Sequence, residues 1–284
     1  MPFPLFQRFA ADHPTLLLTF VGLLGACVGS FLNVCIHRLP KGESIISPGS
    51  RCACGRPIPA WYNLPVLGWL LLGGRARCCG GRISLRYPLV ELVTALLFVA
   101  AWAMLPAPKA LAAFVFLPLL VILAGCDLDD MLVPDGPNFA LVGSGLLLSL
   151  LIPSLQGEST HGLEVVNRLR ALIDSLVGVA IGTALVWWVR TVGTIIAGRE
   201  AMGAADIILC AGVGAYCGWQ GALFCLFGGS VVGVMTAIPG MISARIKGSD
   251  YEGVVPFVPS MAAAAVIWFF RGPELILAWQ RWAA

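Results

Sequence analysis

The sequence predicts an all-α, polytopic integral membrane protein of about eight transmembrane helices, with a cytoplasmic loop inserted between the first helix and the second. The chain of 284 residues is 58% hydrophobic and only 12% charged, with a mean hydropathy of +0.88. Soluble domains carry roughly 25% charged residues. The apolar residues also form runs of about 20, the length that a helix needs to cross roughly 30 Å of hydrocarbon. A lipid bilayer is therefore the expected surrounding of most of this chain.

The apolar runs divide the chain into spans and loops. The first run contains no charged residue, and seven more follow it at intervals along the chain. The predicted spans are 15–35, 89–105, 110–126, 136–153, 171–189, 201–219, 221–244 and 254–270. We expect three segments: an N-terminal segment with the first span (1–37), a cysteine-containing loop (38–88) and a membrane core (89–284).

The basic residues indicate an orientation. The segment 35–88 holds eight of the 18 Lys and Arg residues, and cytoplasmic loops of membrane proteins carry an excess of these residues. With eight spans, the loops at 127–135, 190–200 and 245–252 also face the cytoplasm, so twelve basic residues lie inside and six outside. The net charge of +3, without a basic tract that alternates with aromatics, does not favour nucleic acid as a partner.

Acidic residues within the spans are candidates for function, because charges are costly in a bilayer. Glu91 and Asp174 lie within about a turn of a span end, where interfacial anchoring or a helix hydrogen bond accounts for them. Asp206 lies five residues into the sixth span and has no cation near it in the sequence. Asp127 ends the third span. The predicted topology places Asp127 and Asp206 at the same cytoplasmic boundary although 79 positions separate them.

Two carboxylates in one site of low dielectric constant cannot both ionise cheaply, so they share a proton. The ionised member can take a proton from water while its protonated partner donates to a scissile carbonyl. Asp127 and Asp206 are therefore candidates for aspartic-protease chemistry. The alternatives are a purely structural hydrogen bond for Asp206, a membrane scaffold with inert aspartates, and a transporter that uses the pair as a proton or cation relay. Transporter sites, however, usually lie near the bilayer midplane.

Four cysteines cluster in the polar loop as Cys52-Ala53-Cys54 and Cys78-Cys79. Four thiolates suit a tetrahedral zinc ion, and reduced cytosolic thiols are not expected to form disulfides. The spacing is tighter than the usual CxxC pairs, and adjacent residues of an extended chain point to opposite sides. Structural zinc and free thiols therefore both remain open. The other six cysteines lie in or beside apolar runs, where cysteine packs as a small hydrophobe.

Six short motifs, in order from residue 29 to residue 259, resemble those of the bacterial prepilin peptidases (type IV leader peptidases). They are Gly-Ser-Phe-Leu-Asn-Val with Arg-Leu-Pro at 29–40, Ala-Trp-Tyr-Asn-Leu-Pro at 60–65, Arg-Tyr-Pro-Leu-Val-Glu-Leu at 86–92, Asp-Leu-Asp through Val-Pro-Asp at 127–135, Arg-Glu-Ala-Met-Gly followed by Asp at 199–206, and Pro-Phe-Val-Pro at 256–259. Three features depart from the family pattern: Ala205 replaces a glycine, Ile208 replaces a lysine, and the cysteine pairs are compressed.

The resemblance implies an aspartic endopeptidase of the bacterial inner membrane. Asp127 and Asp206 match the catalytic aspartates of the two family motifs. The implied substrates are prepilins and pseudopilins of type IV pili or type II secretion, cut on the cytoplasmic side just before their hydrophobic helix. Many members also methylate the new N-terminus with S-adenosylmethionine, so a bifunctional enzyme and a peptidase without methyltransferase activity are both open. The sequence contains no glycine-rich nucleotide-binding fingerprint that would identify the cofactor-binding residues.

Small residues follow one face of the first span. Gly25, Gly29 and Asn33 recur every four positions, which places them along one side of a helix. Small residues let a second helix approach closely, and an asparagine can donate a hydrogen bond across the contact. We expect this face to pack against another helix, and the alternative is a direct role in holding substrate.

Overall fold

The structure is a computed structural model that describes residues 12–157, 162–200, 202–246 and 256–283. Within these ranges the chain forms eight α-helices, three short 3-10 helices and two isolated β-bridges, so the all-α prediction is confirmed. The α-helices are α1 (Pro14–Arg38), α2 (Leu67–Leu71), α3 (Arg86–Met104), α4 (Ala107–Asp130), α5 (Asp135–Leu151), α6 (Glu164–Ala197), α7 (Ala204–Ile246) and α8 (Val258–Ala283).

Six helices of the described chain are long and apolar enough to cross a membrane, namely α1, α3, α4, α6, α7 and α8. The predicted span at 136–153 is the 17-residue helix α5. The predicted spans at 201–219 and 221–244 both lie in α7, whose 43 residues are interrupted only at Gly218. The chain is a multi-pass membrane protein. Residues 1–11 of the predicted N-terminal segment, and most of the predicted loop at 245–252, lie outside the described residues.

The chain divides into two compact units, residues 1–122 and 123–284. In the first unit, α1 packs along α3 through the predicted face of small residues. A Cβ atom at Gly29 would lie 2.7 Å from the Cα atom of Glu91, so only glycine permits this approach. The Asn33 amide donates to the carbonyl of Tyr87 across the same contact at 3.0 Å. The prediction that this face contacts another helix is confirmed.

The loop between α1 and α3 is held by short-range backbone pairing. Single antiparallel bridges join Arg51 to Pro57 and Arg75 to Arg82, and each closes a tight turn that contains two of the loop cysteines. The turns use glycines in the left-handed region, Gly55 at φ 85° among them, where a residue with a Cβ atom would be strained. The loop between the first two spans thus forms two small hairpin-like turns.

In the second unit, α5, α6 and α8 each pack against α7. The contact between α6 and α7 is closest at paired small residues. A Cβ atom at Gly178 would lie 2.1 Å from the carbonyl oxygen of Gly214, and one at Gly182 would lie 2.6 Å from that of Cys210. Close backbone approach through small residues is typical of helix pairs in membranes. This contact fixes the position of the N-terminal part of α7.

The interruption of α7 exposes a backbone carbonyl to neighbouring side chains. Gly218 adopts φ 67° and ψ −177°, which turns the chain away from its helical path. Three residues earlier, the carbonyl of Ala215 accepts hydrogen bonds from Gln156 (2.7 Å), Ser175 (2.7 Å) and Ser149 (3.1 Å). Buried polar groups in a bilayer need internal partners, and here they come from α5, from α6 and from Gln156, which follows the short helix Pro153–Leu155.

Candidate active site

Asp127 lies in the last turn of α4, and its side chain is 8% exposed. One of its carboxylate oxygens, Oδ2, accepts a hydrogen bond of 3.0 Å from the backbone N–H of Val258, the first residue of α8. The first N–H groups of a helix have no partner within that helix and favour a negative charge. The Pro-Phe-Val-Pro motif at 256–259 therefore supplies the start of a helix that binds Asp127.

Asp206 is the third residue of α7 and is 6% exposed. Its Oδ2 atom accepts from the backbone N–H of Gly203 at 3.2 Å, which resembles the reciprocal half of a capping box. The fully buried Asn138 of α5 donates to the carbonyl of the neighbouring Ala205 at 2.9 Å. The half-buried Ala205 thus takes part in the contact through its backbone.

The two carboxylates lie close enough to interact electrostatically. The salt bridges of the described residues join other groups and include neither aspartate. Each carboxylate therefore has one backbone N–H donor and an acidic neighbour, in a site largely closed to water. Such a pair favours a state in which one proton is shared. Such a pair can supply both a general acid and a general base.

The other acidic residues of the spans differ from this pair. Asp174 is exposed on the surface of α6, in agreement with interfacial anchoring. Glu91 is 8% exposed and belongs to the first unit, where its Oε2 atom accepts the backbone N–H of Val66 at 2.7 Å. Val66 has a φ angle of 60°, which is rare for a β-branched residue. Glu91 therefore ties the loop to α3 through a hydrogen bond, which is one of the two roles that the sequence predicted for it.

The four loop cysteines converge on one point. Their sulfur atoms all lie within 4.8 Å of one another, with Cys52 and Cys79 at 3.6 Å and Cys54 and Cys78 at 3.4 Å. Four sulfurs around a tetrahedral zinc ion with Zn–S bonds of about 2.3 Å are separated by about 3.8 Å. The cluster therefore fits the donor set and the spacing of a structural zinc site, despite the compressed sequence pattern.

Hydrogen bonds within the cluster give its thiols different pKa values. The backbone N–H of Cys54, followed by the thiols of Cys78 and Cys79, lowers the pKa of Cys52 to about 7. The hydrogen bonds of Cys78 to Cys52 and Cys54 raise its own pKa to about 12. Without metal, Cys52 therefore ionises before Cys78 as the pH rises, and thiolates are the form that binds metal.

Sequence reasoning did not single out Asn138 or the Val258 N–H group. Asn138 contacts Ala205 across 67 positions, and Val258 contacts Asp127 across 131. Only their positions in the sequence could have indicated these two residues. Asn138 lies three residues into α5, after the Asp127 motif, and Val258 lies between two prolines. A polar residue at the buried start of an apolar helix was the feature that could have identified Asn138.

Two family models match the chain. The model described as the bacterial peptidase A24 N-terminal domain matches residues 23–105, and that of the type IV leader peptidase family matches residues 114–238. The second match contains both Asp127 and Asp206, and the first contains the four loop cysteines. No solved structure matches the chain.

Three curated relatives cover between 76% and 98% of the chain. A protein of Klebsiella pneumoniae is 40% identical over 76% of this chain and 92% of its own length. A protein of Aeromonas hydrophila is 36% identical over 93% of this chain and 95% of its own. A protein of Xanthomonas campestris is 32% identical over 98% of this chain and 99% of its own. All three are named prepilin leader peptidase/N-methyltransferase.

Proposed function

Because this chain belongs to the type IV leader peptidase family, we propose that it cleaves the leader peptides of prepilins or pseudopilins and methylates the new N-terminus. The observation that carries the proposal is the pairing of Asp127 and Asp206, two carboxylates that come from helices far apart in the sequence. Their low exposure and backbone N–H partners support a catalytic pair.

In the proposed cleavage, one aspartate is ionised and the other is protonated. The ionised carboxylate takes a proton from a water molecule, whose oxygen attacks the scissile carbonyl, while the protonated partner donates its proton to the carbonyl oxygen. The resulting tetrahedral species then loses the leaving nitrogen, which takes a proton from the carboxylate that received it from water, while one of the two hydroxyl groups of that species returns a proton to the carboxylate that donated first. The Val258 and Gly203 N–H groups orient the carboxylates during both steps.

We place this reaction at the cytoplasmic face of the bacterial inner membrane. The support is the excess of Lys and Arg in the segment 35–88, together with six helices of spanning length. The hydrophobic helix of a prepilin would lie in the bilayer, so its scissile bond would meet Asp127 and Asp206 at the interface. Both pilus assembly and type II secretion supply substrates of this kind.

A zinc ion bound by Cys52, Cys54, Cys78 and Cys79 would have a structural role. Four thiolates fill a tetrahedral coordination sphere and leave no open position for water or substrate. The ion would hold the two hairpin-like turns of the loop together, as the sulfur spacing favours. S-adenosylmethionine would supply the methyl group for the second activity, because methyl transfer forms an N–C bond at the new amine as the S–C bond breaks and the amine loses a proton.

The test is to incubate purified protein with a prepilin, with and without S-adenosylmethionine, and to measure the intact mass of the product. We expect the mass to fall by that of the leader, and to rise by one methyl group only when S-adenosylmethionine is present. Asp127→Asn and Asp206→Asn should each lower the cleavage rate by at least about 100-fold. The exposed Asp130→Asn variant is the matched control and should cleave normally. Wild-type rates in either dyad variant would refute the assignment.

A further inference from the structure

The short helix α2 carries an exposed apolar face, although it lies in the loop between two spanning helices. Leu67, Leu70 and Leu71 are 57%, 59% and 76% exposed. Trp61, in the 3-10 helix that precedes α2, is 66% exposed. A contiguous apolar patch is unusual on a surface that faces water, and it marks a surface that another molecule covers. The three leucines and Trp61 are called the leucine face below.

The opposite side of α2 is fixed against the rest of the loop, so the leucine face cannot turn inward. Gly68 is buried, and a Cβ atom there would lie 2.3 Å from the carbonyl oxygen of Tyr62. The half-buried ring of Trp69 donates through Nε1 to the carbonyl of Ile83 at 3.1 Å. With 3.6 residues per turn, these two positions place the leucines on the outer side of the helix.

The depth of α2 follows from its bond to α3. With 19 residues, α3 is about 28 Å long and only just matches the roughly 30 Å of hydrocarbon. Its first residues therefore lie at the hydrocarbon boundary, and Glu91 lies about 7 Å deeper along the helix. Glu91 accepts the N–H group of Val66 at 2.7 Å, and Val66 immediately precedes α2. The bond holds the start of α2 level with the second turn of α3.

The backbone of this segment agrees with a position at that depth. A segment in contact with lipid must satisfy its N–H groups within the protein. The following residues of the segment donate to acceptors of the chain: Val66, Leu67, Gly68, Leu70, Leu72, Gly73, Gly74 and Arg75.

The surroundings of the leucine face are those of a membrane interface. Trp61 precedes α2 and the exposed Arg75 follows it, and tryptophan and arginine are typical of the level of the lipid headgroups. On α3 itself, Leu89, Leu92 and Leu96 are exposed at helical spacing. Apolar surface is therefore present at the same depth on the spanning helix to which α2 is tied.

We propose that α2 lies in the membrane interface, with its leucine face against the lipid acyl chains of the leaflet in which α3 begins. Lipid is the occupant that the depth of α2 favours, because lipid also meets the exposed face of α3 at that level. The loop that carries the four cysteines is then anchored at a point between its two spans as well as at its ends. The inference goes beyond the proposed peptidase activity and does not depend on it.

The test uses the full-length protein in nanodiscs of phosphatidylethanolamine and phosphatidylglycerol that contain a phospholipid with a diazirine near the carboxyl end of its acyl chain. Irradiation and peptide mapping should place label on residues 61–71, with labelling of α3 as the internal standard. Leu70→Glu combined with Leu71→Glu should lower the ratio of the two yields by at least about fivefold, because a carboxylate is costly in hydrocarbon. The matched control is Leu163→Glu, at a 70% exposed leucine of the other unit, which should leave the ratio unchanged.

A water-soluble diazirine, applied to the wild-type protein in the same nanodiscs, distinguishes the alternatives without any variant. Label on residues 61–71 from this reagent but not from the lipid would show that the leucine face meets water, and it would overturn the proposal. Label from neither reagent would show that protein covers the face, which overturns the proposal as well. Lipid labelling that is unchanged in the double variant would show that Leu70 and Leu71 do not contact the acyl chains, and it would also refute the assignment.

Discussion

The contact between Gly182 and Cys210 allows a quantitative test of how the position of Asp206 is set. A Cβ atom at Gly182 would lie 2.6 Å from the carbonyl oxygen of Cys210, whereas ordinary contact begins at 3.4 Å. Gly182→Ala must therefore push α6 and α7 apart by about 0.8 Å, because the close partner is backbone and cannot change rotamer. Cys210 lies one helical turn after Asp206, so the displacement reaches the carboxylate almost undiminished.

Misplacement of a catalytic group by about 1 Å can cost about 100-fold in rate. We therefore expect Gly182→Ala to slow prepilin cleavage by about 10- to 100-fold and to lower the free energy of unfolding by about 1–3 kcal/mol. Cleavage rates by intact mass and thermal unfolding in detergent measure the two effects. Gly143→Ala on α5 is the control, because a Cβ atom there meets no atom within 4 Å. Gly182→Ala protein that cleaves and unfolds like the wild type would show that the contact does not position Asp206.

Four further outcomes are expected. Asn138→Ala should slow cleavage by about tenfold or more, because it removes a buried hydrogen bond next to Asp206. An unchanged rate would show that Asn138 contributes only to packing. Purified protein never exposed to chelator should carry about one equivalent of zinc, and a content well under half would favour free thiols. After zinc removal, alkylation of Cys52 should rise steeply as the pH increases through about 7, because its thiol then loses a proton, whereas Cys78 should stay unreactive up to much higher pH. Equal profiles for the two thiols would contradict the hydrogen-bond assignment. In intact cells, accessibility labelling should reach the loop at 38–86 and the segment at 154–170 from opposite sides, and labelling of both from one side would contradict the topology.

Much of the fold, and the location of the two aspartates, could be predicted from the free-energy cost of placing polar and charged groups in a bilayer. Runs of about 20 apolar residues predict the membrane helices, and the distribution of basic residues predicts that Asp127 and Asp206 lie at the same membrane boundary. The four-residue repeat of Gly25, Gly29 and Asn33 predicted the face that packs on α3. Each of these patterns is local or additive, so one sequence is enough to recognise it.

Other features depend on tertiary contacts and could not be predicted from the sequence. The predicted break at 219–221 lies at Gly218, because glycine can adopt the positive φ angle that turns the chain there. The close spacing of the cysteines in the sequence argues against a single ion if the chain is extended, because adjacent side chains of an extended chain point to opposite sides. The bridges Arg51–Pro57 and Arg75–Arg82 bend each pair instead, so that all four sulfurs converge.

Hydrogen bonds to the carbonyl of Ala215 make four positions energetically dependent on one another, namely Ser149, Gln156, Ser175 and Gly218. In an uninterrupted helix this carbonyl would accept the N–H group of the residue four positions later, and the donors of Ser149, Gln156 and Ser175 would lose their shared acceptor. Straightening α7 at Gly218 would therefore leave the buried hydroxyl groups of Ser149 and Ser175 without this acceptor, whereas the half-buried Gln156 amide would keep its bond to Ser149. Removing the donors would leave the bent helix with an unsatisfied carbonyl. Substitutions at these four sites should thus be strongly non-additive, and relatives with a continuous helix at this point should lack the polar trio as well.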